Sequence, residues 1–303
     1  MQQIEGRNLF GQLIADIFNP GNLPSKEKLA RHVAHKTIMV TGASFGIGAE
    51  TAVFLGSAGA RILLVARTAE ALEETATQIR QNGGEAHVFA TDLTDMQAVD
   101  ELATNVFKKH RTVDILVNNA GKSIRRSIDL SIDRFQDFER TMNINYNGPV
   151  RLLMALLKEM RKQKSGHLIN ISTVGVRIPP APRWGAYQAS KGAYDILLRS
   201  IDHEMRHEGI YTTSIYMPLV YTRMSAPTPA LQNLPGLYPE EAAGLVGRAI
   251  IEKSPSIEPW WIYPAEVITT IFREPTNWLL SAMVPLTDDT ESAKRFKSEQ
   301  GDA

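Results

Sequence analysis

Tyr187 and Lys191, in the run Tyr-Gln-Ala-Ser-Lys, place a phenol and an ammonium four residues apart. On a helix that spacing puts both on one face, one turn from each other. A free phenol ionises at about 10 and exchanges protons poorly at neutral pH. A fixed positive charge nearby favours the phenolate and draws that value down. Such a pair suits hydride transfer, because each hydride moved to or from a carbonyl carbon is matched by a proton at its oxygen. Tyr and Lys at helical spacing are common, so the pair gains meaning from what lies upstream.

Upstream is the glycine-rich run Thr41-Gly42-Ala43-Ser44-Phe45-Gly46-Ile47-Gly48, which follows a β-rich stretch and opens a helical one. Glycines in that context permit a tight turn, close backbone approach to a pyrophosphate and close helix–strand packing. The helix start adds free N–H groups and positive dipole. Dinucleotide binding follows. Gly42-Ala43-Ser44-Phe45-Gly46 also spells the nucleophile elbow of α/β-hydrolases. A hydrolase would pair Ser44 with an acid and one of His87, His110, His167, His203 or His207. That reading leaves Gly48, the run Asn118-Asn119-Ala120-Gly121 and the Tyr187/Lys191 pair without a role, and ranks below dinucleotide binding. Arg67 closes the second β-rich run. An acidic residue there would accept the ribose 2′-OH of NAD, whereas arginine pairs with a 2′-phosphate and favours NADPH.

Two further patterns are discounted. His203-Glu204-Met205-Arg206-His207 is a literal H-E-x-x-H, the zinc-protease pattern, but a five-residue pattern with two free positions arises by chance. It also falls at a helix end just before Gly209, and no metal is expected. Asn170-Ile171-Ser172 spells a glycosylation sequon inside a strand expected to be buried, and is read as silent.

The elements that must position these residues follow from the apolar pattern. β-rich runs predict strands over Thr37–Thr41, Arg61–Ala66, Ala86–Ala90, Asp114–Asn118, His167–Ser172 and Tyr211–Met217. Helical spacing predicts helices over Ile47–Ser57, Ala69–Gln81, Met96–His110, Ser131–Lys162, Gly185–His207 and Pro239–Glu252. Continuous apolar strands separated by helices imply an α/β fold with a parallel sheet covered on both faces. Three parts are expected: an N-terminal amphipathic extension over 1–35, a catalytic domain over 36–264 and an aromatic tail over 265–303. In the extension Leu9, Phe10, Leu13, Ile14, Ile17 and Phe18 repeat at helical spacing. Docking on the body or on a second subunit is expected for it. Peripheral membrane contact is the alternative, disfavoured by Arg7 and Asp16 on the polar face.

Composition removes whole classes. With 33 basic and 33 acidic residues the formal net charge is zero, and no basic block suggests nucleic acid. The 303 residues include no cysteine, which excludes disulfides, thiolate metal sites and any thioester on an enzyme sulfur. No apolar run reaches the ~18 residues of a spanning helix, and the start lacks a basic segment followed by an apolar signal core. A cytoplasmic protein is expected, with membrane association the alternative.

Together these motifs resemble the classical short-chain dehydrogenase/reductase family, from about Lys36 to Glu252. Thr41 to Gly48 is similar to its T-G-x-x-x-G-x-G turn, Asp92 to its adenine-contacting acid, and Asn118 to Gly121 to its N-N-A-G strand end. Asn145, in Asn-Tyr-Asn-Gly, is similar to the asparagine of its catalytic tetrad, and Tyr187 with Lys191 to its Y-x-x-x-K. Gly121-Lys-Ser-Ile-Arg-Arg, Asp133-Arg-Phe-Gln-Asp-Phe-Glu-Arg-Thr-Met, Ser214-Ile-Tyr-Met-Pro-Leu-Val and Met224-Ser-Ala-Pro-Thr further resemble bacterial long-chain fatty acyl-CoA reductases of this family.

The resemblance implies a Rossmann-type doubly wound sheet in a single domain and NADPH-dependent reduction of a lipid-like carbonyl. A generic ketone or aldehyde reductase, or a non-catalytic nucleotide binder, is the alternative. It implies that Tyr187 gives a proton to the substrate oxygen and that Lys191 lowers the phenol's pKa and holds the nicotinamide ribose. Asn145 would hold a relay water, and Ser172 or Thr173 would bind the oxyanion. Counting from Asn170 puts Thr173 at the family's serine, yet the segment to Tyr187 is then one residue longer, and both hydroxyls stay candidates. The implied cofactor site comprises Gly42, Ser44, Phe45, Gly46, Ile47, Gly48, Arg67, Asp92, Leu93, Asn119, Ala120, Gly121, Tyr187, Lys191, Pro218, Val220 and Thr222. Leu219 stands where most of the family has glycine, and the loop with Pro179, Pro180, Pro182, Arg183 and Trp184 is proline-rich. A long acyl chain is expected beneath a lid from Leu231–Leu237 and the aromatic tail, in a homodimer or homotetramer.

Overall fold

Aliphatic runs such as Thr37-Ile-Met-Val-Thr41 and Arg61-Ile-Leu-Leu-Val-Ala66 cannot leave either face in water, so they become the middle of a layered sheet. The computed structural model describes residues 23–228, 234–290 and 293–294. The Leu9-to-Phe18 stripe and Leu231 of the expected lid lie outside those residues.

Seven strands, β1 (Thr37–Thr41), β2 (Arg61–Ala66), β3 (Glu85–Ala90), β4 (Ile115–Asn118), β5 (Gly166–Thr173), β6 (Ile210–Met217) and β7 (Ser256–Ile257), form one parallel sheet in the order β3-β2-β1-β4-β5-β6-β7. Side chains alternate across it with period two. Ile38, Val40, Ile62, Leu64, Ile115 and Val117 enter one core, and Met39, Leu63, Val65 and Leu116 the other. The first core is closed by α1 (Lys26–Val33), α2 (Gly46–Ser57), α3 (Ala69–Gln81) and α8 (Pro239–Glu252). The second is closed by α4 (Met96–Lys109), α6 (Gly148–Gln163) and α7 (Gly185–Met205). This is the doubly wound α/β arrangement the apolar pattern predicts. The order reverses at β1, which pairs with β2 on one side and with β4 on the other. Loops leaving the carboxyl ends of β1 and β4 run in opposite directions and open a crevice there.

Within the stretch read as an extension, α1 is integral to the body: its Leu29 and Val33 are fully buried. Ser25 caps it by accepting from the Lys28 amide. At the other end α9 (Ile262–Ile271) and α10 (Arg273–Met283) follow β7 and bury almost nothing. The single helix predicted over Ser131–Lys162 is broken into α5 (Phe135–Met142), one π turn over Asn143–Asn147, and α6. Pro149 has no N–H to continue an i−4 ladder, and the Gly148 amide reaches back five residues to Asn143 O. Gly148 also lies against the Leu93 carbonyl, where an added Cβ would sit 1.8 Å from that oxygen. Among the described residues, no helix is long and apolar enough to cross a membrane.

His167 on β5 is 3% exposed, with Nε2 2.9 Å from Thr213 Oγ1. Burial, helped by Lys253 and Arg206, pushes its pKa down to about 3. The folded state therefore holds neutral imidazole well below the pH at which the unfolded chain takes up a proton. Stability from this group is complete above ~6.5 and falls with pH toward about 3, by up to about 1.4 kcal/mol per pH unit. Denaturant unfolding of His167→Gln from pH 7 to pH 4 should show a shallower acid loss than the wild type. Parallel curves would remove His167 from the account.

Candidate active site

The crevice is held by hydrogen bonds that converge on one hydroxyl. Thr41 Oγ1, at the end of β1, accepts from the Asn119 and Ala120 amides, each at 3.0 Å. Asn119 Nδ2 donates back to the carbonyls of Thr41 at 3.0 Å and Gly42 at 3.2 Å. Gly42 has φ +66°, and a Cβ there would meet Ala120 Cα at 2.9 Å. At Gly48 a Cβ would lie 2.2 Å from Gly42 O. Only glycine lets the turn fold this closely on itself. The turn runs into α2, whose N-cap Phe45 makes no side-chain cap bond and whose first turn holds no acid. Its leading amides are therefore not taken by a capping side chain, and the cradle fits dinucleotide phosphates.

The other expected cofactor contacts ring this turn. Ser44 and Ile47 are partly exposed within it. Thr222 Cγ2 lies 3.3 Å from where a Gly46 Cβ would be, and the Arg223 guanidinium covers the Phe45 ring at 4.1 Å, so the segment after β6 closes over the turn. Pro218 leaves β6, and Val220 bridges to Leu237, fixing that segment. Arg67 is exposed immediately after β2. Asp92 Oδ1 accepts from the Thr94 amide and hydroxyl at 2.9 and 2.8 Å, and Leu93 is buried beneath.

On the far side of the crevice α7 brings Tyr187 and Lys191 to one face, as the four-residue spacing requires. Thr173 at the end of β5 accepts from the Gly175 amide at 3.3 Å and stands near enough to the Tyr187 phenol to favour its ionised form. Ser172 points to the opposite side of the strand, buried, and its hydroxyl has no partner there. Strand alternation thus separates the two hydroxyls that counting left open. Lys191 Nζ donates to Ile171 O at 2.9 Å. Burial lowers this ammonium to about 8. The electrostatic expectation for the phenol is corrected: burial pushes Tyr187 up to about 12, against the lowering from Thr173. Desolvation exceeds any pull from Lys191, whose ammonium is spent on a carbonyl.

Asn145, in the π turn, is 1% exposed and its amide is filled. Oδ1 accepts from the Lys122 amide at 2.8 Å, while Nδ2 donates to Lys122 O and Ser190 Oγ, each at 2.9 Å. Ser190 in turn donates to Tyr187 O at 2.8 Å. This side chain ties the segment after β4 to the backbone of Tyr187. A Cβ on Gly121 would meet Asn145 Oδ1 at 2.9 Å and Lys191 Nζ at 3.3 Å, so these three residues share one small space.

Sequence reasoning gave three contributors no role in the site. Ser190 lay within the quoted motif, its spacing from Tyr187 being the usable signal. Trp184 sets its ring edge against Tyr187, with centroids 5.9 Å apart. Arg177, just beyond Thr173, forms a two-pronged ion pair with Glu266 of α9 and stacks over Tyr216 at 4.8 Å. No spacing rule reaches across those 89 residues. The H-E-x-x-H run straddles the end of α7 and a 3-10 turn with both histidines exposed, and Asn170 of the sequon is buried in β5.

Residues 36–233 match the short chain dehydrogenase family. A fatty acyl-CoA reductase of Acinetobacter baylyi is 47% identical over 250 residues, 82% of this chain and 84% of its own. Another, of Mycobacterium tuberculosis, is 43% identical over 208 residues, 69% of this chain and 71% of its own. Among solved structures, a metagenomic short-chain oxidoreductase in complex with NADP superposes with a TM-score of 0.64 at 30% identity, covering 73% of this chain and 92% of that one.

Ultraviolet titration of the wild type, less that of Tyr187→Phe, should show one phenol ionising about two pH units above the ordinary ~10. Ionisation of that phenol near neutrality in the protein alone would mean that Lys191, not burial, controls it.

Proposed function

The chain belongs to the short-chain dehydrogenase family, and we propose that it reduces long-chain fatty acyl-CoA to fatty aldehyde with NADPH. The observation that carries this is the 47% identity to the Acinetobacter reductase over most of both chains. Residues 36–264 are proposed as the catalytic unit, with the flanking segments serving substrate and assembly.

The glycine turn and the α2 amides would hold the cofactor's phosphates, Arg67 its 2′-phosphate, and Asp92, Leu93 and Asn119 to Gly121 its adenosine side and floor. Pro218, Val220 and Thr222 would face the nicotinamide end. When bound, the cofactor supplies a hydride to the substrate carbonyl carbon. Tyr187, kept neutral by burial, is in the form that can give a proton to the oxygen. Thr173 donates a hydrogen bond to the same oxygen as negative charge develops, and Lys191 sits behind to restore the proton. Asn145 fixes the Lys122 backbone and Ser190 against this group.

With no cysteine in the chain, thioester reduction is direct. Carbon gains a bond to hydrogen, the carbonyl oxygen is protonated, and the resulting thiohemiacetal loses the CoA thiol as the aldehyde carbonyl re-forms. For the acyl chain, Trp260, Tyr263, Ile271, Phe272 and Trp278 on and before α9 and α10 are all more than half exposed. They offer apolar surface for a lipid-like substrate, for peripheral contact with a lipid surface, or for the second subunit of a homodimer or homotetramer.

NADPH oxidation against acetyl- to palmitoyl-CoA tests the proposal. Each methylene should strengthen binding by about 0.8 kcal/mol, roughly fourfold, until the groove is full. Activity confined to small ketones, or flat with chain length, would leave a generic carbonyl reductase. In the same assay Arg67→Asp should narrow or reverse the preference for NADPH over NADH, and equal wild-type affinities would remove that role.

Tyr187→Phe should fold and bind NADPH yet lose ~10²-fold or more in turnover. Thr173→Val should lose turnover as well, whereas Ser172→Ala should act mainly on stability. Equal small effects of the two hydroxyl variants would mean that neither binds the oxyanion.

A further inference from the structure

The C-terminal segment crosses the two loops that frame Tyr187 and Lys191, and it does so over guanidinium groups. Arg125 lies four residues beyond Gly121, and Arg183 immediately precedes Trp184. The Arg126 amide donates to Arg183 O at 2.8 Å and locks the loops together. Arg125 Nη1 donates to Asp288 O at 2.6 Å, and Arg183 Nη2 to Thr287 O at 2.8 Å. The Asp289 carboxylate takes the Ser127 amide at 2.8 Å and stands 3.5 Å from Arg183 Nε. Both side chains of that last pair are nearly buried, at 10% and 11% exposure.

The charges do not balance. Arg126, Arg134 and Arg140 share the one carboxylate of Asp137, and among the described residues the only carboxylate in ion-pair contact with Arg183 is Asp289, while Arg125 has none within 4.0 Å. Burial first, then the neighbouring Arg183, lowers the Arg125 pKa, while the charges of Asp289 and Asp288 act against them. The buried Arg183 Nε has no hydrogen bond. Arg183 is moreover held at φ +70°, a costly conformation for a side-chain-bearing residue. Arg183 Nη1 donates to Thr287 Oγ1 and its Nη2 to the Val284 and Thr287 carbonyls, so the C-terminal segment and its one carboxylate hold guanidinium donors that departure of the segment would free.

We propose that Arg125 and Arg183 form the phosphate subsite for the coenzyme A portion of the substrate, and that the Asp289 carboxylate occupies this subsite as a self-ligand which a phosphate displaces. The proposal rests on the acyl-CoA reading above. A phosphate oxygen can accept from the Ser127 amide as the carboxylate does, and its further oxygens can take the guanidinium N–H groups that the departing segment releases. Displacement frees the segment around residues 287–290, so entry of the substrate's polar end and release of the tail are one event.

Calorimetric titration of the full chain with coenzyme A, and with pantetheine as the phosphate-free thiol, tests this in the wild type, Arg125→Ala, Arg125→Lys and Asp289→Asn. Arg125→Ala should weaken coenzyme A at least ~10-fold relative to pantetheine, and Arg125→Lys, which keeps the charge but not the fork, by less. Asp289→Asn should tighten coenzyme A severalfold. In turnover, Arg125→Ala should raise the KM ratio of palmitoyl-CoA to palmitoyl-pantetheine, the phosphate-free thioester, by a similar factor. Equal weakening of both thiols by Arg125→Ala, or weaker coenzyme A binding in Asp289→Asn, would overturn the subsite and leave a clamp for the tail alone. An arginine-dependent coenzyme A site in a protein that reduces no acyl-CoA would instead overturn the proposed activity and keep the subsite.

Discussion

The Thr41 hydroxyl is the point on which the rest of the site depends. β1 and β4 are neighbours, but the loops leaving them must part for a ligand to enter. A backbone that parts leaves amides without strand partners. Thr41 Oγ1 takes two of them, from Asn119 and Ala120, and Asn119 returns its own amide to the carbonyls of Thr41 and Gly42. The opening is thus bounded by satisfied groups. At the start of α2, where no side chain caps the helix, the leading amides are left for an anion.

The same economy appears on the reaction side. Asn145 is fully engaged in holding Lys122 and Ser190, so the π turn that carries it is a structural requirement. A regular helix over Ser131–Lys162 would rotate Asn145 away from this position, and Gly148 would lose its approach to Leu93. Burial keeps Tyr187 protonated and weakens the ammonium of Lys191, which is the distribution a proton donor and its reservoir need. The crowding that raises one pKa lowers the other, because both charged forms lose water.

The sheet and its helices were legible because period-two and helical patterns are local. β1, β2, α3 and α8 coincide with their predicted limits. Tyr187 with Lys191 and the glycine turn were legible for the same reason. What could not be read depends on which side a strand turns or on contacts across the chain. Ser172 and Thr173 are adjacent in sequence, and only the pleat decides that Thr173 meets Tyr187. The sign of the phenol's shift depends on burial, which spacing does not report. The π turn arises from Pro149 acting at a distance of several residues, and the Arg177–Glu266 pair from the path of α9, which has no amphipathic period to announce it.

The position of β1 in the sheet has a consequence for synthesis. Ile38 pairs with Ile62 on one side and with Ile115 on the other. As the chain emerges from the ribosome, β1, β2 and β3 can assemble first, leaving an aliphatic strand with one bare edge until β4 arrives. Closing that edge needs a non-local crossover, the slow kind of step in folding. Thr41 meanwhile lacks the amides that will satisfy it, so the nucleotide cradle cannot be complete in the nascent chain. Bound dinucleotide can therefore stabilise only the finished fold and cannot template the early one. Between β3 and β4 the nascent chain carries that bare aliphatic edge, an opening for edge-to-edge association.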